Sequence, residues 1–232
     1  MTCTLSTPAV RRVLDRLHVL SRIDDPPAKA RVLAREVELG ERVYGRERAE
    51  LYRGAPLAID PRVGELLYAL TLARGASAVV EFGASLGCST IYLAAALRDL
   101  GGGSLVTTEL DHAKVRPLTA NLEEAGLADL VEVRAGDAMR TLQGLARPVD
   151  LLFLDGWNDL YLAVLELLEP QLSDRALVIA DMSENEPNLV AYREYVLDPG
   201  KRYATVEVPL DAGVVVSARV PGGGGSAPDG GG

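Results

Sequence analysis

The chain is poor in cysteine and in histidine, with two of each among 232 residues. Cys3 and Cys88 stand far apart, so neither a disulfide framework nor a CxxC motif can be read, and the count fits a reducing cytoplasm. His18 and His112 do not cluster, which gives no support to a histidine metal site; each reads as a surface or capping residue. No run of about 18 apolar residues occurs, so no transmembrane helix is expected. Arg11, Arg12, Asp15 and Arg16 interrupt the apolar stretch that a signal peptide needs. There is no Lys/Arg-rich block either. With 24 basic and 33 acidic residues the net charge is -9, which disfavours a nucleic-acid groove. Neither nucleic acid nor a membrane is an expected partner.

What the chain does have is apolar residues, 48 % of the total, enough for one full-sized core. Residues 8 to 53 read as helices. Val10, Val13, Leu14, Leu17 and Leu20 recur at helical spacing, Pro26-Pro27 breaks the run, and a second pattern follows through Val32, Leu33 and Val37. A third helix is expected from Pro61 to Leu72. From Ser77 the texture changes to short apolar runs separated by amphipathic segments. The strand candidates are AVVEF (78 to 82), SLVTTEL (104 to 110), VEVRA (131 to 135), VDLLFLD (149 to 155) and ALVIADM (176 to 182). Apolar strands alternating with helices predict a parallel sheet covered on both faces. YATVEVPL and GVVVSARV are joined by about two residues, which forces an antiparallel pair.

The expected fold is therefore α/β: a Rossmann-like, doubly wound, mostly parallel seven-stranded sheet that ends in an antiparallel hairpin, with helices at the N-terminus. The expected organisation is a helical cap or lid over 1–72, a core over 73–220 and a Gly-rich disordered tail over 221–232. The N-terminal helices suit a dimer surface, a lid or a packed cap equally well.

In open α/β sheets ligands bind at the carboxyl ends of the strands, so the last residue of each strand is a site candidate. These residues are Glu81 before Gly83, then Glu109, Gly136-Asp137-Ala138, Asp155 and Asp181. Five acids on one edge argue against a pyrophosphate, and Gly83-x-x-x-Gly87 is not the dinucleotide spacing. Glu109, 22 residues after Gly87, lies where a ribose-binding acid belongs. A ligand with a ribose and a cation in place of phosphate fits, and S-adenosylmethionine is such a ligand.

The chain resembles the class I S-adenosylmethionine-dependent methyltransferases, and within them the catechol O-methyltransferase type. The resemblance rests on the turn of Glu81, Gly83, Ala84, Gly87 and Ser89, on Glu109, on Gly136-Asp137-Ala138, and on LDGWNDLY with Asp155, Trp157 and Tyr161. PLAIDPRVGELL resembles a segment that touches the cofactor through Leu57 and Ile59. The resemblance implies cofactor contacts at those positions and at Ser85, and chemistry at Asp155, Asn158 and Asp181. It also brings a homodimer into view. The catechol type holds magnesium through two aspartates and an asparagine and uses a lysine as base. Here Asp155 and Asp181 keep the aspartate positions, while Met182 and Asn158 replace the asparagine and the lysine. A thioether is a poor ligand for a hard cation, and an amide is no base near neutral pH. The expected function is O-methylation of a small phenolic or enolic acceptor. Methylation of a nitrogen or carboxylate acceptor, and cofactor binding without turnover, are the alternatives.

Overall fold

The computed structural model describes residues 3–182 and 187–221. The tail expected beyond Pro221 lies outside the described residues. The helices α1 (Pro8–Leu39), α2 (Gly45–Leu51) and α3 (Pro61–Arg74) come first. The sheet then alternates with helices: β1 (Ala78–Phe82), α4 (Cys88–Asp99), β2 (Ser104–Glu109), α5 (His112–Ala125), β3 (Val131–Ala135), α6 (Ala138–Thr141) and β4 (Val149–Leu154). It continues with α7 (Tyr161–Leu168), β5 (Leu172–Asp181), α8 (Leu189–Leu197), β6 (Tyr203–Val208) and β7 (Val214–Arg219).

Seven strands stand in the order β3-β2-β1-β4-β5-β7-β6. The first five run parallel and β7 pairs antiparallel with both β5 and β6. The chain reverses its direction of growth between β1 and β4, which opens a crevice at the carboxyl ends of those strands. The registers Phe82↔Thr108, Phe82↔Leu154 and Glu109↔Ala135 bring the strand ends of β1 to β4 level. The loops beyond stay tied to the sheet: Asp155 N donates to Phe82 O at 2.9 Å, and Gly136 N to Glu109 O at 2.8 Å.

One apolar cluster under the sheet joins Val10, Val13, Leu14 and Leu17 of α1 to Val79, Leu105 and Leu151 of the strands. Another packs Val80, Leu152 and Leu154 against Tyr161, Val164 and Tyr192 on the opposite face. Both faces are covered, as the apolar strands require.

Four local expectations need correcting. Pro26-Pro27 does not end a helix, because α1 runs through both. Each proline removes one N–H, and the carbonyls left without it belong to Arg22 and Ile23, which are exposed to water. The amphipathic segment DAMRTLQGL between the third and fourth strands is helical over only four residues, Ala138–Thr141. Residues 189–197 form α8, which the strand-and-hairpin reading passed over. The final hairpin is joined through 209–213, a longer loop than two residues, and remains antiparallel.

Candidate active site

A cavity of about 520 Å³ lies over the crevice. Of the residues singled out from sequence, Leu57, Ile59, Gly83, Ser85, Ser89, Glu109, Gly136, Asp137, Ala138, Asp155, Trp157, Asn158 and Asp181 all line it. Glu81 and Gly87 do not line it. Leu57, Ser85 and Asp211 line it in left-handed backbone conformation, at φ of 48°, 47° and 50°. Such strain costs about 1–3 kcal/mol per residue and is held in place by its surroundings.

The turn after β1 explains the two exceptions. Glu81 is fully buried, and its Oε2 accepts hydrogen bonds from Thr90 Oγ1 and Thr107 Oγ1, each at 2.6 Å. Its place is thus beneath the turn, between α4 and β2, rather than on the cavity wall with Glu109, Asp155 and Asp181. Its Oε1 has no partner. Burial pushes this carboxyl upward in pKa, and bonds from the hydroxyls of Ser89, Thr107 and Thr90 offset part of that. Gly87 caps α4 and packs: a Cβ there would stand 2.6 Å from Leu118 Cδ1. At Gly83 a Cβ would stand 2.6 Å from the Gly156 backbone, so only glycine lets the β1 and β4 loops approach.

The β2 end is fully engaged. Glu109 Oε2 accepts from Ser85 N at 2.8 Å and Oε1 from Asp111 N at 2.7 Å. Lys114, almost wholly buried, donates to Ala55 O at 2.8 Å and Ser85 Oγ at 2.9 Å. Burial raises Glu109; the Asp111 N–H and the Lys114 charge pull it back. Burial lowers Lys114, and the charges of Glu109 and Asp111 oppose that. Lys114 was missed from sequence, although a signal existed. It shares the inward stripe of α5 with Leu118, Leu122 and Ala125, a spacing that puts a charge on an apolar face.

The N-terminal helices close the cavity from the side. Asp25 and Lys29 of α1, Arg48 of α2 and Tyr52 all line it. Asp25 accepts from Leu57 N at 3.0 Å and from Ser21 Oγ. Tyr52 packs on Trp157 at 5.6 Å between ring centroids, and the Arg48 guanidinium lies 5.0 Å from the Trp157 ring. Lys29, Arg48 and Lys114 therefore bring positive charge to a rim that read as purely acidic, because they arrive from helices rather than from strand ends. Asp137 caps α6 through Met139 N at 2.9 Å while also lining the cavity.

The β4 and β5 ends differ. Asp155, Asp181 and Asp211 line this part together with Asn158 and Met182. Tyr161 Oη donates to Asp181 O at 2.8 Å and Met182 N to Gly213 O at 2.9 Å, which fixes the backbone here. Oδ1 of Asp181 is buried without a partner. Burial, then the neighbouring charge of Asp181, holds the Asp155 carboxyl well above the usual range. Burial and the charge of Asp211 push Asp181 up to about 7. An orphaned carboxylate beside a second one suits a ligand that brings a positive charge or a hydroxyl proton to it. Magnesium fits less well. Among the described residues no three His, Cys, Asp or Glu side chains gather closely enough to hold a metal ion, and Met182 offers only a soft sulfur.

A family model for a methyltransferase domain matches residues 80–181. The catechol O-methyltransferase of Mycobacterium tuberculosis is 38 % identical over 135 residues, covering 57 % of this chain and 54 % of that protein. That of Niastella koreensis is 33 % identical over 103 residues, covering 43 % and 46 %. The chain thus spans about half the length of these two relatives. A provisionally named O-methyltransferase of Mycobacteroides abscessus is 30 % identical over 220 residues, covering 86 % of this chain and 99 % of its own. Among solved structures, a methyltransferase from Geobacter sulfurreducens superposes with TM-score 0.62 at 28 % identity, over 75 % of this chain and 87 % of the other. An O-methyltransferase from Bacillus cereus in complex with S-adenosylhomocysteine (SAH) shares the fold, with TM-score 0.64 at 22 % identity over 88 % and 99 %. With the sheet order, the glycine turn and the relative matched along nearly its whole length, the chain belongs to the O-methyltransferase family of S-adenosylmethionine-dependent methyltransferases.

Proposed function

We propose that this protein transfers the methyl group of S-adenosylmethionine to the hydroxyl of a small phenolic or enolic acceptor. One observation carries the reading. A single cavity joins a carboxylate clamped by two backbone N–H groups, Glu109, to two carboxylates with raised pKa values, Asp155 and Asp181. In this reading Glu109 binds the ribose hydroxyls. Gly136, Asp137, Ala138 and Trp157 surround the adenine, and Gly83, Ser85 and Ser89 hold the amino-acid end with Leu57 and Ile59. Bound there, the cofactor would supply a methyl carbon on a sulfonium: the acceptor oxygen would take the methyl, SAH would leave as the thioether, and the acceptor's proton would pass to the carboxylate of Asp155 or Asp181. Asp155 and Asp181 would face that acceptor, with the amide of Asn158 orienting it. Positioning the hydroxyl in line with the methyl supplies most of the acceleration.

The test is methyl transfer from labelled S-adenosylmethionine to a panel of catechols, monophenols and enols, with products read by mass spectrometry and NMR. A methyl ether formed with equimolar SAH is the expected result. An N-methyl or ester product would move the acceptor to another nucleophile. Tight cofactor binding without turnover across the panel would make this a binding protein.

A further inference from the structure

The glycine turn between β1 and α4 does not hold itself. Gly83, Ser85 and Gly87 stand in left-handed backbone conformation, at φ of 98°, 47° and 90°. Among the described residues one backbone hydrogen bond closes within the turn, from Gly87 N to Ala84 O at 2.8 Å. Strand β2 ties the first half, through Ala84 N to Thr108 O at 2.9 Å and Ser85 N to Glu109. Helix α5 ties the second. Lys114 Nζ donates to Ser85 Oγ at 2.9 Å, Leu118 Cδ1 packs against Gly87, and Asn121 Nδ2 donates to Leu86 O at 2.9 Å. Lys114, Leu118 and Asn121 fall within about 60° of one another around the helix. One face of α5 therefore grips three consecutive residues of the turn.

Asn121 is a buried amide in a stripe otherwise filled by Leu118, Leu122 and Ala125. Asparagine is a poor residue for a helix interior, so helix formation does not account for it. Both ends of its side chain are engaged: Oδ1 accepts from Arg16 of α1 at 2.9 Å while Nδ2 reaches Leu86 O. An arginine only donates and a carbonyl only accepts, which leaves the amide one orientation. Among the described residues no backbone N–H reaches Leu86 O, so Asn121 is what satisfies it.

We propose that Asn121 is a positioning residue for cofactor binding. By pinning the Leu86 carbonyl it holds the backbone on either side, with the Ser85 N–H aimed at Glu109 and Ser89 set at the start of α4. The proposal rests on the reading above, in which Ser85 and Ser89 hold the amino-acid end of the cofactor and Glu109 its ribose. Asn121 itself does not line the cavity and acts only through the turn.

Calorimetric titration of SAH, with initial rates beside it, tests this on three variants. Asn121→Asp, at about pH 8 where the new carboxylate is ionised, keeps the acceptor for Arg16 and removes the donor to Leu86 O. Asn121→Leu removes both bonds, and Arg16→Met removes only the bond from α1. The two Asn121 variants should weaken SAH binding and raise KM for S-adenosylmethionine about tenfold, with kcat and the acceptor KM changed by less than about twofold. Arg16→Met should leave SAH affinity within about twofold, whatever its melting temperature. Lower melting temperatures in all three variants with unchanged SAH affinity would make Asn121 a structural residue and overturn the proposal. So would a loss of affinity in Arg16→Met equal to that in Asn121→Asp. Both results leave the cofactor reading in place, whereas a wild type that binds no SAH would overturn the two together.

Discussion

The two ends of the cavity are built on different terms. At the β2 end the Glu109 carboxylate accepts hydrogen bonds on both oxygens, and Lys114 is bonded twice. At the β4 and β5 ends Asp181 keeps an oxygen without a partner and Asp155 is held far above its usual pKa. The first end is preorganised, and in the proposed reading a ribose would enter it without either clamp having to move. The second is electrostatically unsatisfied and is completed only by what binds it. In the proposed reading this division lets the rigid end hold the cofactor and leaves the acceptor to a few exchangeable side chains.

Glu109→Ala is the strongest way to break the comparison. It removes a charged acceptor and leaves the N–H groups of Ser85 and Asp111 without it, and SAH affinity by calorimetry should fall by 100-fold or more, about 3 kcal/mol. Next, Asp155→Asn and Asp181→Asn should each reduce kcat by roughly 10–100-fold while SAH affinity changes by less than about threefold. Equal losses in both quantities would erase the division between the two ends. Lys114→Met should raise KM for S-adenosylmethionine about tenfold with kcat nearly unchanged, since Lys114 positions Ser85 and the Ala55 segment. Wild-type turnover should change by less than about twofold between EDTA and excess magnesium, given the donor set at Met182 and Asn158. The double variant Asn158→Lys with Met182→Asn should increase the magnesium response.

The smallest effect concerns stability. Glu81 has a folded pKa raised above its ordinary 4.5. A carboxyl shifted that way favours the fold while protonated, so stability is lost as pH rises from about 4.5 through the folded value. Glu81→Gln should therefore be the more stable protein at pH 8, by about 1–2 kcal/mol, and lose that advantage near pH 4. Thermal melts at the two pH values check the sign.

Much of this was legible in the sequence because the relevant signals are local. Five apolar strands, four of them running into Glu81, Glu109, Asp155 and Asp181, announced the sheet and the edge on which the cavity lies, and Gly83 announced a close approach that the Gly156 backbone explains. What escaped depends on contacts distant in sequence. Glu81 and Glu109 both read as strand-end acids, yet Glu81 stands one residue short of the end of β1 and is covered by α4, while Glu109 ends β2 and the cavity opens on it. Asp25, Arg48 and Tyr52 reach the cavity only because α1 and α2 fold back across it. Pro26-Pro27 reads as a stop by local rules, but α1 runs through both at a stretch where Arg22 and Ile23, whose carbonyls lose their helical partners, are exposed residues.

The account turns on whether the cavity binds the cofactor through Glu109. Calorimetric titration of SAH into the wild-type chain and into Glu109→Ala tests that most directly. Saturable one-to-one binding by the wild type, lost in the variant while its melting temperature holds, is the predicted result. No binding by the wild type, or equal binding by the two, would contradict it.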